Sequence, residues 1–413
     1  MSRRPPFPAD TLARARDLQA QIFTLDGHVD LPPGVVAADL AGAMPETGQF
    51  DLARAREGGV SAAALTLFSG QTRGTPADVA RAQRDVESQY AAINDLLIQH
   101  ATDVGLARSP ADLRRLAEEG RFAIVLGLQN AGLLGADLAP LEDWVARGVR
   151  VMAFSHFGNN PWADSSRPFA MFGDRPDALG GLSELGKRGV RRLNDLGVLV
   201  DVSQMTSLAL AETLSVSKAP VIASHSAVRS QVDIGRNLSD LELRDIAAGE
   251  GVVQIIAFSA FLRPFSAETL LEIGEVSRRF GLPAPRDTAE AFDLSHPETA
   301  DWSDERLDDY RGDLHAILDR TPLATLQDFG KAIDHAVGVA GIDHVGISSD
   351  FNQHGGVVGW AHAGESVNVT AELITRGYAD DEIAKLWGGN FLRVWDAVEA
   401  VARSLQPRPG DKS

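Results

Sequence analysis

The chain has 413 residues, of which 44% are hydrophobic, so it can bury a core larger than that of a typical small domain. It contains no cysteine, which excludes a disulfide scaffold, a thiolate metal site and a cysteine nucleophile. The formal net charge of −18 argues against nucleic acid as a partner, because surfaces that bind nucleic acid are basic.

Short apolar runs recur along the chain, and longer amphipathic segments lie between most of them. We predict eight strands, in the stretches IFTLDGHVD, VSAAALTLFSG, FAIVLGLQN, VRVMAFSHF, GVLVDVSQ, APVIASHS, GVVQIIAFS and DHVGISSDF. Continuous apolar strands that alternate with helices are typical of a parallel sheet covered on both faces. Eight such units predict an α/β protein with a (β/α)8 TIM barrel, and an open doubly wound sheet is the alternative. No GxGxxG motif follows the first strand, which weakens a dinucleotide-binding version of the open sheet.

The helices are predicted from apolar residues at helical spacing and from residues that favour helix ends. The stretch PADVARAQRDVESQYAAINDLLIQH begins with a proline, as helices often do. The stretch LSDLELRDIAAGEG has Ser239 as a plausible N-cap and Glu242 three residues later, which is the pattern of a capping box. LSELGKRGVRRLNDLG and TSLALAETLSVS are shorter predicted helices.

Residues 262–325 interrupt the alternation and are rich in charges and prolines. We predict that they form a helical insertion between the seventh and eighth strands, over one end of a single barrel domain that spans residues 1–413. The segment from Thr370 to Leu405 is predicted to be helical, and residues 406–413 are predicted to fray. We find neither a signal peptide nor an apolar run that could span a bilayer, and we therefore expect a cytoplasmic protein without a membrane span.

Polar side chains lie at the ends of six of the predicted strands. In chain order they are His28, Asp30, Gln129, Asn130, His156, Ser203, Gln204, His225 and Asp350. In TIM barrels the C-terminal ends of the strands converge on one rim, where the chemistry takes place, so we expect these groups to meet. Residues two apart in a strand point the same way, and His28 and Asp30 should therefore project together.

Four of these residues predict a metal site. His28, Asp30, His225 and Asp350 offer two imidazoles and two carboxylates, which suit zinc or another first-row divalent ion. Such an ion acidifies water and polarises a carbonyl group, which predicts a hydrolase. His156 is instead a candidate donor to a substrate oxygen. No GxSxG motif is present, so a serine hydrolase has little support.

Eight stretches of the chain, in order and on the expected strands, resemble the membrane (renal-type) dipeptidases, especially their soluble bacterial members. They are DGHVDLP, GLQNAGLLG, SHFGNNPWADS, LVDVSQMT, APVIASHSAVRS, GRNLSD, GISSDF and LWGGNFLRV. The resemblance runs from about Leu12 to Val401. It implies a (β/α)8 metallohydrolase with two zinc ions that forms a homodimer and cleaves dipeptides, often with a D-residue at the C-terminal position.

The resemblance assigns metal ligands, and the chain departs from the family at two of them. His28 and Asp30 match ligands of the first metal, and His225 matches a ligand of the second. Gln129 stands where the family has a glutamate that bridges both metals, and Gln204 where it has a histidine ligand of the second metal. Two dications about 3.5–4 Å apart repel by on the order of 15–20 kcal/mol at an effective dielectric constant near 20, which a neutral amide offsets less than a carboxylate does. We therefore expect one zinc ion, with the second site weak or empty.

The resemblance also assigns catalytic and binding roles. Asp350 matches an aspartate beside the metals that is thought to shuttle a proton, and it is a possible third ligand of a single ion. His156 matches a residue that contacts the substrate or its tetrahedral oxyanion. Arg236 matches the residue that holds the terminal carboxylate of the substrate, a group that a guanidinium binds well. Asn352 replaces an aspartate that is frequent in relatives, and His354 is either a replacement ligand or a loop histidine.

The sequence leaves three functions open. The first is a metal-dependent hydrolase of dipeptides or related small amides, with one metal rather than two. The second, which Gln129 and Gln204 motivate, is a non-catalytic or diverged homologue that binds a small carboxylate-bearing ligand. The third is a different reaction on the same barrel, because the fold alone does not determine function.

Overall fold

The computed structural model describes residues 7–406, with the exception of residues 33, 46, 71–73, 169–173, 293–296, 300–301 and 354. His354 and all but the first residue of the segment predicted to fray, 406–413, therefore lie outside the described residues. Within the described part of the chain, no helix combines the length and the apolar character needed to cross a bilayer.

The described residues form a parallel barrel of eight strands and one additional short strand. The nine strands are β1 (Leu25–Asp30), β2 (Ala62–Phe68), β3 (Val104–Ala107), β4 (Phe122–Gln129), β5 (Val149–Ala153), β6 (Leu199–Asp201), β7 (Ile222–Ser226), β8 (Val252–Ile256) and β9 (Val345–Ser348). The barrel order is β1-β2-β4-β5-β6-β7-β8-β9, and β3 pairs with β4 outside this path. The barrel closes where the backbone N–H of Asp30 donates to the carbonyl of Phe351 over 3.1 Å. The predicted (β/α)8 barrel is confirmed.

Helices surround the barrel. They are α1 (Ala9–Gln19), α2 (Leu52–Glu57), α3 (Pro76–Gln99), α4 (Pro110–Glu118), α5 (Ala139–Arg147), α6 (Glu184–Leu196), α7 (Ser207–Val216), α8 (Asp240–Ala248), α9 (Ser259–Leu262), α10 (Ala267–Arg279), α11 (Thr288–Phe292), α12 (Asp304–Leu318), α13 (Leu326–Ala340), α14 (Val367–Arg376), α15 (Asp380–Ala384) and α16 (Asn390–Leu405). The predicted capping box of α8 is present, because Ser239 and Glu242 each accept a backbone N–H of the other.

The last helix covers the N-terminal end of the barrel. Phe391, Trp395 and Val398 of α16 share a buried cluster with Leu25 and Ile222, which lie at the beginnings of two barrel strands. We call this group the base cluster. Because α16 covers this end, ligands have access to the barrel interior from the C-terminal ends of the strands, where TIM barrels place their active sites.

The helical insertion lies between β8 and β9 and comprises α9 to α12. It has a small apolar core of its own, formed by Ile273, Val276, Leu282, Tyr310, Leu314 and Ile317. The chain leaves the C-terminal end of β8 at Ser259 and returns at Ala324, whose backbone N–H donates to the Ser259 hydroxyl over 3.2 Å. The insertion therefore begins and ends on the side of the barrel that carries the polar strand ends.

Candidate metal and substrate site

Two barrel strands carry a bulge where they supply an imidazole, and the first is β1. The pairing of β1 with β2 shifts between Asp26 and Val29, which leaves one extra residue in β1. In a regular strand, residues four apart point to the same face. Leu25 and Val29 do not, because Leu25 belongs to the base cluster and Val29 to the core that includes the surrounding helices. The bulge thus turns His28 and Asp30 into the barrel interior.

The second bulge lies in β7. Its pairing with β8 shifts between Ala223 and Ser226. Consecutive residues of a regular strand point to opposite faces, yet Ser224 and His225 both reach the interior. The Ser224 hydroxyl lies 2.7 Å from Nδ1 of His225 and 3.2 Å from Nδ1 of His28. The two imidazole rings stack, with centroids 3.9 Å apart and an interplanar angle of 24°.

The imidazole of His28 faces two carboxylates. Its Nε2 lies 3.2 Å from Oδ1 of Asp30 and 4.0 Å from Oδ1 of Asp350, and all three residues are buried. Burial lowers the pKa of His28, but the nearby Asp30 and Asp350 outweigh this effect and the pKa is raised. Burial and the charge of Asp30 raise the pKa of Asp350 to about 7. A positive charge between the imidazole and the carboxylates would relieve both effects.

A divalent ion fits this group. Two ligand atoms at about 2.0–2.1 Å from a tetrahedral zinc ion are about 3.3 Å apart, close to the 3.2 Å between His28 Nε2 and Asp30 Oδ1. Potential ligand atoms of His28, His225 and Asp350 also lie within 4.8 Å of one another. The donor set, imidazole with carboxylates, suits zinc and other first-row divalent ions.

The imidazole of His225 has different neighbours. Its Nε2 lies 3.0 Å from the amide nitrogen of Gln204 and 3.2 Å from that of Gln129. Burial, with the charges of His28 and Arg236, lowers the pKa of His225 well below its ordinary value, so the ring is neutral. Two amide N–H groups can therefore donate to the lone pair that a second metal would need.

The backbone is strained at two of these positions. Gln204 has φ +64° and Asp350 has φ +57°, the left-handed region that residues other than glycine seldom adopt. Such strain persists only where the surrounding structure enforces it, and it is frequent at functional sites. Both residues follow the end of a barrel strand. The side chain of Gln204 faces His225, and that of Asp350 faces His28.

Arg236 is a buried cation beside the metal position. Its side chain is bound by the Ser226 hydroxyl at 3.2 Å and the His225 carbonyl at 2.5 Å, and it lies over the ring of Phe261. Burial lowers its pKa to about 10, so it remains charged at neutral pH. Arg236 is only 3% exposed, and its Nε has no hydrogen-bond partner among the described residues. A ligand carboxylate would supply the acceptor and the countercharge.

His156 is partly buried between Phe68 and Phe157, with ring centroids 4.5 Å away in each case. Burial, together with Arg236 and Arg167, lowers its pKa to about 3. The ring is therefore neutral at neutral pH and carries one N–H, which can donate to an oxygen of a ligand.

Asn352 has a structural role in this chain. Its Oδ1 accepts the backbone N–H groups of Gln49 and Phe50, and its Nδ2 donates to the carbonyl of Asp30 over 3.1 Å. An aspartate could not make the last of these bonds, because an ionised carboxylate only accepts.

Sequence reasoning missed the polar residues beneath the strand ends. Asp201 accepts the Ser224 hydroxyl over 2.5 Å and the backbone N–H groups of Ser203 and Ser224. Asp26 accepts the backbone N–H of Ser349 over 2.9 Å, which joins β1 to the end of β9. The one signal for these residues was an aspartate within each apolar run, LVDVSQ and FTLDGHVD.

Comparison with known proteins gives consistent matches over nearly the whole chain. A family model described as membrane dipeptidase (Peptidase family M19) matches residues 12–409. The crystal structure of the probable dipeptidase PvdM from Pseudomonas aeruginosa is 46% identical, covers 96% of this chain and 100% of its own, and has a TM-score of 0.91. Dipeptidase verJ from Clonostachys rogersoniana is 26% identical over 96% of this chain and 89% of its own. A metallopeptidase from Rhodobacter sphaeroides, solved with a phosphinate mimic of the dipeptide L-Ala-D-Ala, has the same fold at 20% identity, 91% and 99% coverage and a TM-score of 0.66.

Proposed function

Because the chain belongs to the membrane dipeptidase family (Peptidase family M19), we propose that it is a metal-dependent hydrolase of dipeptides or related small amides that uses one zinc ion. The relatives that are named dipeptidases support the substrate class. The observation that carries the proposal is the cluster formed by His28 Nε2 and the carboxylates of Asp30 and Asp350, beside the buried guanidinium of Arg236.

Some residues of the site would bind the ion, and others bind the substrate or transfer a proton. His28 and Asp30 would hold the ion, and Asp350 completes the set. When bound, a divalent ion lowers the pKa of water and polarises a carbonyl group. Asp350, whose carboxylate lies beside the ion position, would take a proton from the attacking water and give it to the leaving amine nitrogen.

The substrate is held at two further points. Arg236 binds the terminal carboxylate of the dipeptide through its guanidinium, which is charged and desolvated. The neutral imidazole of His156 donates a hydrogen bond to the oxygen on which negative charge develops as the amide is attacked. The amides of Gln129 and Gln204 donate to His225 and take the place of a second ion.

The direct test combines metal content with turnover. We expect the purified protein to contain about one zinc equivalent per chain, the count of an open catalytic site. Chelation should abolish hydrolysis of a panel of L,L- and L,D-dipeptides, and stoichiometric zinc should restore it. Measurement is by elemental analysis and by release of free amino acid.

Two other outcomes identify the alternatives. A protein that binds the dipeptide but does not turn it over with any divalent ion is a carboxylate-binding homologue, which the two glutamines beside His225 would explain. A protein that binds zinc but neither binds nor cleaves any dipeptide acts on another substrate. Either result contradicts the proposed hydrolysis of dipeptides.

A further inference from the structure

One hydroxyl group contacts both imidazoles of the site. The Ser224 Oγ lies 2.7 Å from Nδ1 of His225, 3.2 Å from Nδ1 of His28 and 2.5 Å from Oδ2 of Asp201. Ser224 and Asp201 are both buried, so water does not compete for these bonds. A serine hydroxyl has one hydrogen to donate and two lone pairs with which to accept, and three neighbours match this capacity.

The neighbours of Asp201 determine where the hydroxyl hydrogen goes. Oδ1 of Asp201 already accepts two backbone N–H groups, from Ser203 at 2.9 Å and Ser224 at 3.0 Å. A carboxylate in this setting acts as an acceptor, so the 2.5 Å contact with its Oδ2 takes the hydrogen of Ser224. The two lone pairs of the hydroxyl oxygen then remain for His28 and His225, whose Nδ1 atoms must carry the hydrogens.

We propose that Ser224, held by Asp201, is a positioning residue that keeps Nδ1 of both His28 and His225 protonated, so that Nε2 of each ring is the nitrogen presented to the cavity. The role of this orientation in metal binding rests on the proposed function, because a histidine binds a metal only through a nitrogen that carries no hydrogen. The orientation itself follows from the contacts of Ser224 and does not depend on which substrate is cleaved.

The surroundings of Nε2 differ between the two rings, and both arrangements leave the hydrogen of Nδ1 in place. At His225 the facing groups are the amide nitrogens of Gln129 and Gln204, which can only donate, so Nε2 must accept. At His28 the facing groups are the carboxylates of Asp30 and Asp350, which only accept, so Nε2 donates to Asp30 until an ion takes the place of its hydrogen, while Nδ1 keeps its own hydrogen. The Thr66 hydroxyl is a second contact for Nδ1 of His28, at 3.4 Å.

The test uses two nearly isosteric variants and measures the tautomer of His225, which a merely structural role of Ser224 would not change. In metal-free, 15N-histidine-labelled protein, NMR should show His225 with a pyrrole-type Nδ1 and a pyridine-type Nε2. Asp201→Asn places an N–H donor against the Ser224 oxygen, which frees the hydroxyl hydrogen for Nδ1 of His225 and should reverse this pattern. Ser224→Ala removes the contact with Nδ1 but leaves the amides of Gln129 and Gln204 at Nε2, so it should raise the fraction of His225 that carries its hydrogen on Nε2 without reversing the pattern completely. Both variants should bind zinc 10- to 100-fold more weakly, as loss of a hydrogen bond behind a metal-binding histidine typically causes.

The matched control is Ser348→Ala. Ser348 is also a fully buried serine of a barrel strand, but its hydroxyl has no partner among the residues that the structure describes. This variant should retain the wild-type tautomers and zinc affinity, and circular dichroism checks that all three variants are folded. If Asp201→Asn and Ser224→Ala are folded and retain the wild-type tautomer of His225, Ser224 does not set it. Absence of dipeptide hydrolysis in the wild type would contradict the proposed function and leave this result unaffected.

Discussion

The double variant Gln129→Glu/Gln204→His should bind about two divalent ions per chain where the natural protein binds about one. In the natural chain both amides direct their nitrogens to Nε2 of His225, at 3.2 and 3.0 Å, and satisfy its lone pair without a metal. The substitutions replace two neutral donors with a carboxylate that can bridge two ions and an imidazole that can bind the second. The carboxylate also offsets part of the repulsion between two dications, which is on the order of 15–20 kcal/mol at an effective dielectric constant near 20.

Elemental analysis after dialysis measures this stoichiometry, and dipeptide turnover should rise with the second ion. The control carries the same two substitutions at exposed positions, Gln83→Glu/Gln327→His, and should remain at one ion. If the double variant at the site also remains at one ion with unchanged turnover, the two glutamines do not occupy metal-ligand positions.

Arg236→Met should raise the KM for dipeptides by about 10- to 100-fold, with a smaller change in kcat. The guanidinium is 3% exposed and charged, so a carboxylate bound to it forms a desolvated, charge-assisted contact. Hydrogen bonds to charged groups contribute about 1.5–3 kcal/mol, and each 1.4 kcal/mol corresponds to a factor of ten. Methionine is similar in length and apolar, so it fills the buried space without leaving an unpaired charge.

A substrate change separates binding of the carboxylate from damage to the site. With a dipeptide amide, which has no terminal carboxylate, the wild type and Arg236→Met should have similar kinetic constants. Arg229→Met is the control variant, because Arg229 lies in the same segment but bonds to the Asn237 carbonyl and Glu242. If Arg236→Met impairs hydrolysis of the dipeptide and of its amide equally, Arg236 does not recognise the carboxylate.

The barrel could be predicted from the sequence because its strands lie in eight short, mainly apolar runs, with amphipathic helical segments between most of them. All eight predicted strands are present in the structure. The ninth, β3 (Val104–Ala107), was missed because it lies outside the barrel path and does not belong to the repeat of eight strands with helices between them. The insertion could be predicted because its charges and prolines interrupt an otherwise regular alternation.

The arrangement within the site could be predicted only in part. The strand ends indicated which polar groups would approach the rim, and alternation correctly placed His28 and Asp30 on one side, 3.2 Å apart. Alternation could not place Ser224 and His225 together, because both face the interior only through the bulge in β7. Nor could it predict that Gln129 and Gln204 both reach the same nitrogen of His225, since that contact joins three strands distant in sequence.

The most direct measurement of the one-metal site is anomalous diffraction at the zinc edge from crystals of the zinc-loaded protein. One peak is predicted, within bonding distance of His28 Nε2 and Asp30, with no peak on His225 and with the amides of Gln129 and Gln204 still directed to the His225 ring. A second peak bound by His225, or the absence of any peak beside His28 and Asp30, would contradict the account.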